Sequence, residues 1–197
     1  MSIVDNLKNI FGGSTPAAPP PPAKSADELY RAALIAHRAE KDGFFRRDPY
    51  GPIEDRAQFD GLKYYDPDPA MRLTLPLEPT EPQTLTMQTS TDDEQIYQRV
   101  GYVNFEIDGN AAKLAVYQME GDHEGYFIPF RDETSSKETY GGGRYLEPEA
   151  TANGELIIDF NLAYNPYCAY SPHFSCPIPP IENWLKVPIR AGERNYE

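Results

Sequence analysis

The chain has 197 residues, of which 31 are acidic and 18 basic, for a formal net charge of -13. That length suits one well-buried domain with accessory segments rather than two full domains, and the charge repels polyanions, which argues against nucleic acid as a partner. No stretch approaches the roughly 18 apolar residues that cross a bilayer, and the first residues lack a secretory pattern, so a cytoplasmic protein without a transmembrane segment is expected.

The chain opens on "MSIVDNLKNIFGG", in which Ile3, Leu7 and Ile10 recur at helical spacing. A helix of about 11 residues is marginal alone in water. Residues 3–11 therefore read as a frayed tail or as a segment that docks on a protein partner; Lys8 is its one basic residue, against the basic face of membrane-surface helices. The run "STPAAPPPPAKS" follows as a proline-rich tether favouring polyproline II. Residues 1–24 are thus set apart from a single β-rich domain over 25–197.

That domain begins with one helix. Ser25 followed by Glu28 has the spacing of a capping box, and Leu29, Ala33, Leu34 and Phe44 supply an apolar stripe within "DELYRAALIAHRAEKDGFF". His37 is expected to be packed or half-exposed on its inner edge, since no metal-type residue sits four positions away. "DPYGPIED" then breaks the helix.

From residue 62 the pattern changes to short apolar alternations punctuated by Pro, Gly, Asn and Asp. "LKYY", "MRLTLPL", "QTLTMQTS", "YQRVGYVNFEI", "AKLAVYQM", "GYFIPF", "GRYL" and "GELIIDFNL" read as about eight strands. "DGN" at 108–110, between Ile107 and the returning Leu114 and Val116, is the strongest hairpin signal. No helical pattern separates these runs, so the sheet must be mainly antiparallel. The expected fold is mainly β, an α+β body in the form of an antiparallel barrel or sandwich with the N-terminal helix packed on it.

Alternation in "GELIIDFN" sets Leu156, Ile158 and Phe160 opposite Asp159 and Asn161. A carboxylate and an amide turned toward an interior require partners, water or ligand. Arg131 is the natural counter-charge for Asp159 or Asp132. "SSKETYGGGRYL" joins a glycine triplet to Lys137 and Arg144, either a structural loop or an anion subsite beside Tyr140; it lacks the spacing of a phosphate loop. Prolines 177, 179 and 180 forbid regular structure, so Asn165, Glu182 and Asn183 must find partners outside ladders, and Trp184 is expected to pin this path. The nearby tyrosines suit a ligand pocket or a seal over a barrel end.

Cys168, His173 and Cys176 are spaced C-x4-H-x2-C. They offer three donors to zinc or another transition metal, where a closed zinc site wants four. The same residues could be packed thiols, a disulfide closing a short loop, or a thiol nucleophile.

The runs "FIPFRDETSSKETYGGGRYL" and "DFNLAYNPYCAYSPHFSCPIPPIENWLKVPIRAGE", with the earlier "HRAEKDGFF" and "FDGLKYYDPDP", resemble the bacterial and archaeal domain of unknown function family 1684. The resemblance implies one domain of about this length and brings no activity, cofactor or catalytic residue. The leading expectation is a small-molecule-binding β domain using Arg131, Asp132, Lys137, Tyr140, Arg144, Asp159, Asn161, Asn165, Glu182 and Asn183. The alternatives are a metal- or thiol-dependent enzyme at Cys168, His173 and Cys176, and an interaction module docking through residues 3–11.

Overall fold

A computed structural model of the chain describes residues 24–119 and 125–196. The amphipathic segment 3–11, the body of the tether and His123 lie outside them.

Helix α1 spans Ala26–Arg47 and starts on the expected capping box: the Ser25 hydroxyl accepts the Glu28 N–H, and the Glu28 carboxylate accepts the Ser25 N–H. Of the expected apolar stripe only Leu34 is buried. Leu29, Ile35 and Phe44 are 56%, 58% and 42% exposed, His37 is exposed, and the buried apolar side chains are Leu34 and Phe45. The reason lies in the surface beneath. The helix meets a polar floor, so its underside carries groups that can bond to it: Tyr30 donates to Asp159, Arg38 to the Tyr65 carbonyl, and Lys41 to Glu193 at 2.5 Å, while Asp42 accepts the Leu62 N–H. Phe45 anchors the C-terminal end against Phe59 and Ile53, with Tyr167 and Tyr170 edge-on to its ring.

Seven of the eight expected strand runs carry strands: β1 (Arg72–Pro76), β2 (Glu78–Gln88), β3 (Glu94–Ile107), β4 (Asn110–Met119), β5 (Ile128–Phe130), β6 (Arg144–Leu146) and β8 (Glu155–Asp159), with a two-residue β7 (Glu149–Ala150) between the last two. The "LKYY" run makes only an isolated bridge, Tyr64 to Glu193. All the pairings between strands are antiparallel, in three sheets ordered β1-β8-β7, β2-β3-β4 and β5-β6. Among the described residues no ladder joins the ends of one sheet to another, so the sheets do not close into a barrel. They form a sandwich-like body around a shared core with α1 packed against it.

The hairpin read from "DGN" joins β3 to β4. Asp108 and Gly109 both have positive φ, 50° and 77°, as a two-residue hairpin turn demands, and Ile107 faces Asn110. Val103, Phe105 and Ile107 from β3 and Leu114 and Val116 from β4 meet Ile128, Phe130, Leu156, Ile158 and Phe160 in the main core. The final stretch adds Leu185, Val187, Ile189 and Ala191, every second residue, to the same core without forming a ladder of its own. Burying such side chains stabilises the fold by about 1.5–3 kcal/mol each relative to leaving them in water.

Candidate functional site

Most of the polar residues singled out from the sequence are inside the protein, and each has internal partners. Arg144 is 1% exposed and opposite Phe130 in the β5–β6 ladder. Its guanidinium donates to Asp132 at 2.9 Å and to the carbonyls of Ile189, Ala191 and Glu193, bracing the C-terminal stretch against β6. Asp132 also accepts from the Thr134 N–H and hydroxyl and from the Ile189 N–H, while the buried Arg144 Nε is left without a partner. Arg131, expected to neutralise Asp159 or Asp132, does neither. It lies on the other side of the chain from Phe130, with its guanidinium 4.4 Å from the Trp184 ring centroid.

Asp159 instead accepts from Tyr30 at 2.8 Å and from the Asn161 N–H, with Arg72 3.6 Å away. Asn161 bonds the Asp68 backbone at both its carbonyl and its amide. Both groups are buried, a placement the alternation left open between solvent and an interior, and α1 covers them through Tyr30 and Arg38. The desolvation of this contact, followed by the Asp159 bond, pushes the Tyr30 hydroxyl well above the usual tyrosine range. Asn165 donates to the Arg194 carbonyl and its backbone N–H to Glu193. Asn183, fully buried, bonds the N–H and C=O of Ala115 and the C=O of Pro129. Glu182 reaches Tyr117 at 2.6 Å and Arg99 at 2.9 Å. The prolines after Cys176 thus leave a path whose polar groups do find partners outside ladders, and Trp184 holds it by donating to the Pro179 carbonyl.

The glycine triplet is a turn. The Gly143 N–H bonds the Tyr140 carbonyl, Gly143 has φ +96°, and a Cβ there would stand 2.6 Å from the Phe130 carbonyl oxygen. Arg144 is committed inward, and Lys137 lines a hollow of about 220 Å³ with Arg131, Lys186 and Trp184 and with the acidic Asp132 and Glu133.

His173 is 82% exposed on its side chain and stands 3.6 Å from Glu54. Among the described residues no group of three His, Cys, Asp or Glu side chains is placed to hold a metal ion. Both cysteines are free thiols, and no disulfide closes the loop. They do lie together: the Cys168 N–H donates to Cys176 Sγ at 3.4 Å, and the Tyr140 hydroxyl is 3.7 Å from Cys168 Sγ.

Two features escaped the sequence reading. Glu193 is 1% exposed and gathers Lys41, Tyr170 and the Asn165 N–H. It continues the every-second-residue burial of Leu185 to Ala191, a signal that was available. The other is an open cleft of about 980 Å³ between the end of β4, the start of β5 and the β6–β7 connection. Tyr97, Tyr126 and Phe127 form its aromatic wall, with Tyr97 and Phe127 stacked at 5.3 Å and Tyr145 edge-on to Phe127 at 4.9 Å. Gln118, Glu147 and Glu149 supply its polar groups, and no basic side chain lines it among the described residues. Glu147 is oriented by the Tyr164 hydroxyl. Desolvation raises the Tyr97 hydroxyl to about 12, and that hydroxyl donates to Gln95.

The family described as "Protein of unknown function (DUF1684)" matches residues 57–194. The solution NMR structure of an uncharacterized protein from gene locus rrnAC0354 of Haloarcula marismortui is 42% identical, covering 85% of this chain and 95% of that one, with a TM-score of 0.66. No curated protein matches the chain.

Proposed function

Because this chain belongs to the DUF1684 family of proteins of unknown function, whose description brings no substrate with it, we propose from geometry that it is a non-catalytic binding domain for small aromatic or apolar molecules that are neutral or positively charged. The observation that carries the reading is the 980 Å³ cleft, walled by Tyr97, Tyr126 and Phe127 and bordered by Glu147 and Glu149 without a basic side chain among the described residues. Its size suits small-molecule sites, which are concave, mostly apolar and furnished with a few polar groups. Aromatic faces attract cations through their quadrupole, and two carboxylates on the rim favour the same charge.

One β-rich domain over 25–197 and a cytoplasmic setting belong to the proposal. Two cysteines carried as free thiols accord with a reducing compartment, and no helix among the described residues is long and apolar enough to cross a membrane.

The test is a thermal-shift comparison of phenethylamine with 3-phenylpropionate, two molecules of similar shape and opposite charge. The amine raises the melting temperature, the carboxylate does not, and Tyr126→Ala removes the response. Equal shifts from both ligands, or a response indifferent to Tyr126→Ala, would remove the cleft from the account.

A further inference from the structure

The two thiols occupy a built setting apart from the cleft's open side. Cys168 sits in the 3-10 turn Tyr167–Ala169, which places it half-buried below Tyr140, and the chain then folds back through the Ser171 N–H bond to Tyr167 so that Cys176 returns beside it. Cys176 is buried, and its backbone is held on both sides by Ser90: the Cys176 N–H donates to the Ser90 hydroxyl at 3.2 Å, and the Ser90 N–H donates to the Cys176 carbonyl at 2.9 Å. The sulfur of Cys176 accepts the Cys168 N–H at 3.4 Å. We propose that Cys168 and Cys176 are a thiol–disulfide exchange pair for low-molecular-weight disulfides, with Cys168 as the attacking sulfur and Cys176 as the sulfur that completes the bridge.

The two sulfurs differ in the way such a pair requires. The Cys176 thiol beside it, and more weakly the Tyr140 hydroxyl, lower the Cys168 thiol below its usual range against the opposing effect of burial. The same contact, with desolvation, holds the Cys176 thiol protonated and well above its usual range. The other titratable groups facing the pair are Tyr140, Tyr145 and Tyr97, each kept neutral by desolvation. Attack by a thiolate depends on its ionised fraction and on access, and Cys168 has both. The Cys168 thiolate attacks one sulfur of RSSR, forming a mixed disulfide and releasing RS⁻. That thiolate takes the Cys176 proton to become RSH, and the Cys176 sulfur displaces the second RS⁻ from Cys168, which is protonated by solvent with the proton Cys168 first gave up. The chain loses two hydrogens and RSSR becomes two RSH.

The experiment uses the full chain, reduced and then exposed to glutathione disulfide at pH 7. Peptide mapping should find both thiols lost together in an internal 168–176 bridge, reversed by dithiothreitol. Cys176→Ser should keep one glutathione on Cys168, and Cys168→Ser should react at least about tenfold more slowly, because its remaining thiol is buried and protonated. The wild-type alkylation profile needs no substitution: iodoacetamide should modify Cys168 with a midpoint below the ordinary thiol value of about 8.5, moving toward it in Cys176→Ala. Disulfide-linked dimers in place of the internal bridge, equal reaction of Cys168→Ser, or a wild-type midpoint at the ordinary value would overturn the assignment.

Discussion

Replacing Arg144 by Met should be among the most damaging single changes in this protein. The substitution keeps much of the side-chain volume but removes one bond to Asp132 and three to the carbonyls of Ile189, Ala191 and Glu193. Both members of the ion pair have side chains 1% exposed, so Asp132 would be left as a charge without its partner. Breaking a buried pair from one side costs about 3–5 kcal/mol, against a typical total stability of about 5–15 kcal/mol. At about 2–4 °C per kcal/mol for a chain of this size, the melting temperature should fall by roughly 6–20 °C. Urea unfolding followed by the fluorescence of Trp184, the single tryptophan, gives the difference directly. Asp132→Asn combined with Arg144→Met removes both charges and keeps an oxygen for Thr134 and Ile189. The double variant should therefore be less destabilised than the sum of the two singles, by about 1–3 kcal/mol of coupling. A loss under about 1 kcal/mol for Arg144→Met, or strict additivity, would refute the view of this pair as an internal brace.

Asn183→Ala should cost about 2–4 kcal/mol in the same assay, because it strips bonds from the Ala115 N–H and from the Ala115 and Pro129 carbonyls inside the core; a loss below about 0.5 kcal/mol would be inconsistent with their burial. Alkaline pH should unfold the chain cooperatively. Desolvation raises the hydroxyls of Tyr64, Tyr117, Tyr145, Tyr164 and Tyr170 in the folded state, so their neutral forms favour folding. That contribution is complete below the unfolded tyrosine value of about 10 and declines as pH rises toward the folded values. Tyrosine ionisation followed by ultraviolet absorbance should then coincide with loss of secondary structure, and independent titration of these rings in a chain that stays folded would contradict it.

Local signals were legible in the sequence and long-range ones were not. The capping box at Ser25 and Glu28 and the hairpin at Asp108 and Gly109 are each decided within four residues, and both stand where the pattern puts them. The inner stripe of α1 failed because a helical wheel assumes an apolar floor, whereas this floor holds Asp159, Asn161 and Glu193, and the underside selected Tyr30, Arg38 and Lys41. The salt-bridge partner of Asp132 was set by the register of Phe130 on Arg144, which two short strands do not reveal beforehand. Glu193 could have been found by extending the Leu185, Val187, Ile189, Ala191 alternation by one step. The cleft could not, since its wall is assembled from residues 97, 118–119, 125–127 and 147–150, with no motif in any one segment.

The central claim is that the ligand site is the aromatic cleft and that Arg144, Asp159, Asn161, Asn165 and Asn183 serve the interior. Heteronuclear NMR during titration with phenethylamine tests it most directly. The account predicts saturable shifts concentrated at Tyr97, Gln118, Tyr126, Phe127 and Glu147, with Arg131, Lys137 and Asp159 unmoved. Shifts centred on those last three, or no saturable shift anywhere, would contradict it.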